Sequence, residues 1–219
     1  MDRQTILEAA LFCAPQPLTV EGIQRLFEGN DAPSKSETKD WLQTLQTQYQ
    51  DQGIHLVEVA SGWRFQINPQ CTPHLQSLFE EKPQKYSRAL LETLALVAYR
   101  QPITRAEIED VRGIVVSTNM MKTLLEHQWV RIVGHREVPG KPALYATTRE
   151  FLDYFNLKSL EALPPLSEVL EIGQAAAEQM ELMLSQTAFS EKIWAAAPKT
   201  QHNDNTVVGS DVSESSPLQ

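Results

Sequence analysis

The sequence has 219 residues, 42% hydrophobic and 21% charged, with 13 Pro and 9 Gly, the make-up of an ordinary folded protein of one or two domains. Its 28 Asp and Glu against 19 Lys and Arg give a formal net charge of −9, which argues against strong non-specific nucleic-acid binding, since phosphate neutralisation supplies most of that affinity. No apolar run approaches the roughly 18–20 residues that span a bilayer, and no signal-peptide pattern opens the chain, so a cytoplasmic protein without a membrane partner is expected. Cys13 and Cys71 are far apart and in no C-x-x-C pattern, which suggests neither a disulfide framework nor a zinc site.

Thr5–Cys13 reads as an apolar helix, with Cys13 a buried, inert thiol. Gln16-Pro17-Leu18-Thr19 ends it, and a short helix carrying Ile23 and Leu26 follows. After a polar loop, Asn30–Lys35, a third helix is predicted from about Ser36, with Trp41, Leu42, Leu45 and Tyr49 along one side and Gly53 marking its end. Ile54–Ala60 and Trp63–Ile67 alternate apolar positions about a Ser61-Gly62 loop, the signal of a β-hairpin. Residues 68–87, rich in Pro and charge, are expected to form a joint, with a short helix through Leu75, Leu78 and Phe79.

The order then begins again. Arg88–Tyr99 places Leu90, Leu91, Leu94, Val97 and Ala98 on one helical face. Gln101-Pro102-Ile103-Thr104 stops that helix, and Thr104 with Glu107 forms the capping box of a second, Arg105–Val111, ending near Gly113. A third helix is predicted over Ser117–His127, with Met120, Met121, Leu124 and Leu125 as its buried side. Arg131–Glu137 and Ala143–Thr147 are β-prone runs joined by Val138–Pro142 turn chemistry.

A shift of 85 residues lays the first stretch on the second without a gap: Ile6 on Leu91, Gln16-Pro17 on Gln101-Pro102, Thr19 on Thr104, Ile23 on Ile108. Three helices and a hairpin, twice, predict tandem winged-helix domains, mainly α with small β-hairpins: residues 1–82 and residues 83–163. Glu150–Phe155 adds a short amphipathic helix, and Leu163-Pro-Pro-Leu166 breaks the folded body from the C-terminal region. Within residues 164–197, Ser167–Ser185 is helix-prone, with Val169, Leu170, Ile172, Ala176, Met180, Met183 and Leu184 as its apolar side. Residues 198–219 have the composition of a disordered tail.

The chain has no Gly-rich phosphate loop, no G-x-S-x-G elbow, no H-E-x-x-H, and no metal-ligand spacing among its five histidines, so neither an enzyme nor a cofactor is expected. Charge is uneven: residues 1–82 carry −5, residues 83–163 carry +2 and residues 164–219 carry −6. A winged helix in isolation suggests DNA, read by the third helix. Yet the third helix of the first copy carries Glu37, Lys39 and Asp40, and that of the second has only Lys122 as a base. Protein contact therefore ranks first, with a DNA-binding transcriptional regulator as the alternative. Arg112, Lys122, His135, Arg136 and Lys141, near the second copy's third helix or wing, are the polar candidates for a partner surface, although a solvated face explains them nearly as well. Met121 and Trp129 would be its apolar flank, and both read equally as core.

The landmarks Leu7-Glu-Ala-Ala-Leu-Phe12, Ala95–Thr104, Val111-Arg-Gly113, Val133–Pro142, Leu144–Thr148 and above all Glu150–Leu160 through Leu163-Pro-Pro-Leu166 resemble the segregation and condensation protein B family, accessory subunits of the bacterial SMC–kleisin condensin complex. The resemblance covers nearly all of residues 5–166. It departs after Gly113, where Ile-Val-Val precedes the Ser and the family often has Asn or Asp. What it implies is a homodimer made through the first winged domain and gripping the central region of the kleisin (segregation and condensation protein A), largely through the second. It further implies indirect association with the SMC ATPase, weak or indirect DNA contact, and a nucleoid-associated role in chromosome condensation and partition during cell division.

Overall fold

A computed structural model describes residues 2–27, 32–75, 78 and 86–163. The expected helix in 164–197, the tail in 198–219 and Phe79 of the joint lie outside the described residues. The fold mixes α and β with helix predominating: among the described residues it has eight α-helices and two small antiparallel sheets.

In α1 (Arg3–Cys13) the buried positions are Leu7 and Leu11, one turn apart. Cys13 is exposed, contrary to the sequence expectation. It lies two residues beyond Leu11, about 200° further round the helix and off the buried face. Thr19 caps α2 (Val20–Gln24) by accepting from the Gly22 amide at 2.9 Å, and Leu26, past the helix end, is exposed. Ser34, not Ser36, starts α3 (Lys35–Gln48), in a reciprocal capping box with Glu37. The helix stops at Tyr49, ahead of Gly53, where the Tyr49 hydroxyl donates to Glu8 of α1; that bond, with partial burial, pushes the phenol up to about 12. Strands β1 (Ile54–Val59) and β2 (Gly62–Ile67) pair from Ile54↔Ile67 to Val59↔Gly62, so the turn is Ala60-Ser61, one residue earlier than its sequence suggested. A 3-10 turn, Pro69–Cys71, leads into the four-residue α4 (Thr72–Leu75).

The second unit is built around α5 (Arg88–Arg100), with eight of its 13 residues buried, Leu90, Leu91, Leu94 and Leu96 among them. Each fully buried Leu contributes roughly 1.5–3 kcal/mol, which is why this helix is apolar nearly all round. Ile103–Thr104 forms a short strand, β3, where the sequence pattern suggests a plain turn. Thr104 then caps α6 (Arg105–Arg112), closed by Gly113 at φ 68, and Ser117 caps α7 (Thr118–Glu126). β4 (Val130–His135) and β5 (Ala143–Thr147) follow, then α8 (Arg149–Tyr154) and a 3-10 turn at Leu160–Ala162. The sheet order is β3-β5-β4, with a register shift between Ile132 and Gly134. The 85-residue repeat carries through to this detail: Leu18 bridges Trp63 of the first hairpin, and Ile103, 85 positions on, pairs with Tyr145 of the second.

Each unit has its own apolar cluster, one on Leu7, Leu11, Ile23, Leu42 and Phe65, the other on α5 with Ile108, Leu124, Trp129 and Phe151. A polar joint ties them. The Arg64 guanidinium of β2 donates to the Asp153 carbonyl at 2.8 Å and to Asn156 Oδ1 at 2.9 Å; the Ser61 amide donates to the Asp153 carboxylate at 2.9 Å; Lys158 pairs with Glu58 at 2.5 Å.

Gly62 has φ 142, and a Cβ there would run into the Leu18 carbonyl. Gly62→Ala should cost about 1–3 kcal/mol or more in urea denaturation, through backbone strain and loss of the Leu18–Trp63 bridge. Gly134→Ala, with nothing within 4 Å of its Cβ position, should stay within about 0.5 kcal/mol of wild type.

Candidate partner interface

The seven residues singled out in the sequence divide into an inner and an outer group. Arg112 ends α6 with its side chain 4% exposed; its guanidinium donates to Glu92 at 2.8 Å and to the Thr93 hydroxyl at 3.0 Å, and Glu92 also holds Arg88 at 3.2 Å. Arg112 therefore fastens α6 to α5. Met121, 4% exposed, and Trp129, 2% exposed, belong to the core. The indole lies among the rings of Tyr86, His127, Tyr154 and Phe155, with centroids 4.6–5.6 Å away. In the structure these three side chains face inward, Met121 and Trp129 within the core and Arg112 against α5: helical spacing defines a face but not which neighbour covers it.

Lys122, His135, Arg136 and Lys141 are exposed. Two of them already have carboxylate partners, Lys122 with Glu126 one turn on at 3.4 Å and Arg136 with Glu107 at 2.7 Å. Glu107 is the nodal group. Its carboxylate accepts from the Thr104 amide at 2.8 Å and the Thr104 hydroxyl at 2.9 Å, as well as from Arg136, so one side chain caps α6 and ties it to the β4–β5 hairpin. The Thr104 amide, then the Thr104 hydroxyl and Arg136, hold this carboxylate below its usual range. Glu109 is likewise lowered, by the Val116 amide at 2.9 Å and by Arg105.

Sequence reasoning passed over the uncovered apolar side chains. Between the Gly113 cap of α6 and the Ser117 cap of α7, Val116 turns in and is fully buried, while Ile114 and Val115 are 55% and 77% exposed. Val111 on α6 and Ile132, Val133 and Val138 on the hairpin are also exposed. Three β-branched residues in a row have no helical or strand period, so the only signal was their apolar character between two caps. Ile114 and Val115 stand side by side with no cover among the described residues, between the end of α6 and the start of α7. Among the described residues there is no group of three or more metal-ligating side chains, and no helix long and apolar enough to cross a membrane.

Arg112→Ala should lower stability by on the order of 3 kcal/mol in urea denaturation, the low end for breaking a buried ion pair because Glu92 keeps Arg88. Glu107 has its folded pKa below the ordinary 4.5, so its contribution is present above that value and is lost as pH falls through the folded pKa. Glu107→Gln should therefore separate from wild type in stability near neutral pH and converge with it in acid, as measured by denaturation across the pH range.

The model of the family "Segregation and condensation complex subunit ScpB" matches residues 5–166. The segregation and condensation protein B homolog of Coxiella burnetii is 53% identical over 186 residues, 84% of this chain and 89% of the relative. The segregation and condensation protein B of Desulforamulus reducens is 42% identical over 173 residues, 78% of this chain and 93% of the relative. Among solved structures, that of ScpB from Mycobacterium tuberculosis is 32% identical, covers 72% of this chain and 98% of its own, and superposes with a TM-score of 0.33. A family match across residues 5–166 and identity above half over most of the length show that this chain belongs to the segregation and condensation complex subunit ScpB family.

Proposed function

We propose that the chain is a non-enzymatic subunit of a bacterial SMC–kleisin condensin complex, acting in chromosome condensation and partition as a cytoplasmic, nucleoid-associated homodimer. In this reading the two units are winged-helix domains, residues 1–82 and 83–163. The first is used for self-association and the second for holding the central segment of the kleisin. The SMC ATPase is reached indirectly, through the kleisin.

The observation that carries the reading is the pairing of exposed Ile114 and Val115 with a neighbourhood whose basic side chains are largely satisfied: Arg105 by Glu109, Lys122 by Glu126, Arg136 by Glu107. Phosphate binding favours unpaired Lys and Arg, whereas an apolar, partly helical peptide favours uncovered aliphatic side chains. For self-association, the first unit offers Phe12, 48% exposed and stacked on Phe65 at 4.3 Å.

Light scattering of the purified chain, alone and with the central kleisin segment from the same genome, tests this. A dimer of about twice 24.7 kDa that gains mass on mixing is expected. Val115→Glu should weaken that complex tenfold or more, about 1.4 kcal/mol, and Phe12→Glu should shift the dimer toward monomer. A monomer indifferent to the kleisin, shifting a DNA duplex in its place, would move the transcriptional-regulator reading to first position.

A further inference from the structure

Where the chain passes from α5 through β3 into α6, the second unit has a pocket of about 340 Å³. Its apolar part is Pro102, Ile103 and Val111, of which Ile103 is buried while Pro102 and Val111 are exposed. The Glu107–Arg136 pair, 2.7 Å apart, also lines it, and there each charge is already met. Arg100, the last residue of α5, and Asp110 of α6 complete the lining. Both are exposed, and neither has an ion-pair partner among the described residues. Two cations and two carboxylates cancel, so the pocket as a whole favours neither a polyanion nor a free cation. Its chemistry suits an aliphatic side chain carried between one acidic and one basic neighbour.

Glu107, Asp110 and Val111 are three and four residues apart on α6 and so share one face of it. Val111 is also only three residues ahead of exposed Ile114, which makes the pocket continuous along the chain with the uncovered aliphatic side chains of the α6–α7 loop. Interfaces concentrate their affinity in a few anchors seated in pockets and take their specificity from charges at the rim. We propose that this pocket is an anchor site for the kleisin segment, a proposal that rests on the reading of the α6–α7 surface as the one that holds the kleisin. One aliphatic side chain of the segment sits on Pro102, Ile103 and Val111, a carboxylate of the same segment meets Arg100, and a basic side chain meets Asp110. Arg100 and Asp110 thereby select the segment and fix the direction in which it lies.

Titration of the full chain with the central kleisin segment from the same genome tests this on wild type, Val111→Asp, Arg100→Glu, Asp110→Lys and the exchanged pair Arg100→Asp/Asp110→Arg. Val111→Asp should raise Kd about tenfold or more, as loss of an anchor does. Arg100→Glu and Asp110→Lys should each raise it about threefold or more at low salt, with the difference shrinking as salt is added. The exchanged pair keeps the net charge and reverses only the direction, so it should bind at least as weakly as either single variant. All four substitutions are at exposed side chains, and urea midpoints equal to that of wild type report an intact fold; should Val111→Asp unfold, the three charge variants still decide. Wild-type affinity in all four variants, with Val115→Glu still weakening the complex, would overturn the anchor site and leave the kleisin reading standing. An exchanged pair that binds as tightly as wild type would overturn it too. A wild-type chain that ignores the segment would overturn the kleisin reading and the anchor site together.

Discussion

Everything the molecule presents as a unit depends on where the Arg64 guanidinium finds its acceptors. A cation only 9% exposed needs acceptors, and a helix C-terminus supplies carbonyls that have no partner within the helix; Nη2 finds two acceptors there, while Nε is buried with no hydrogen-bond partner among the described residues. Arg64 reaches from the first hairpin to the last turn of α8 and uses the Asp153 carbonyl and Asn156 side chain there, while the Asp153 carboxylate returns a bond to the Ser61 amide. Asn156, at φ 56, turns the chain just after α8, a conformation that Asn accepts more readily than most residues. The two apolar clusters thus keep separate interiors and share a polar seam, which fixes their relation without merging their cores.

Much of the architecture was legible in the sequence because it is written in local rules. The Thr104–Glu107 capping box, the Gly113 stop and both hairpins each rest on residues within a few positions of one another, and the 85-residue repeat is such a local pattern read twice. The missed features have partners far away in the chain. β3 is two residues long and exists because Ile103 meets Tyr145; nothing near Ile103 reveals it. The Arg64–Asp153 contact spans 89 residues. Arg112 read as a surface cation because its acceptors, Glu92 and Thr93, lie a helix away, and Met121 and Trp129 read ambiguously because periodicity names a stripe without naming its cover.

The charge pattern gains a different meaning once its pairs are known. The middle third of the chain looked mildly basic from its net charge. In the fold, Arg88, Arg105, Arg112, Lys122 and Arg136 each face a carboxylate, most within their own helix or the neighbouring one. Surface pairs of this kind add little stability individually, but each carboxylate cancels its cation's field locally, which leaves fewer positive patches to draw a polyanion. What remains for recognition is short-range: uncovered aliphatic groups at the α6–α7 loop and a few unpaired bases on the hairpin.

The strand order β3-β5-β4 makes β4 an outer edge, and it carries exposed Ile132 and Val133 with backbone groups open on one side. Open edges with apolar side chains invite other chains to add strands, the first step toward aggregation. Here Val133 is the extra residue of a bulge: the ladder skips from Ile132↔Tyr145 to Gly134↔Leu144, so the edge is bent and its register interrupted. Arg131 and Arg136 bracket the same run with positive charge. The strand can therefore keep an exposed apolar surface while being a poor template for pairing with its own kind.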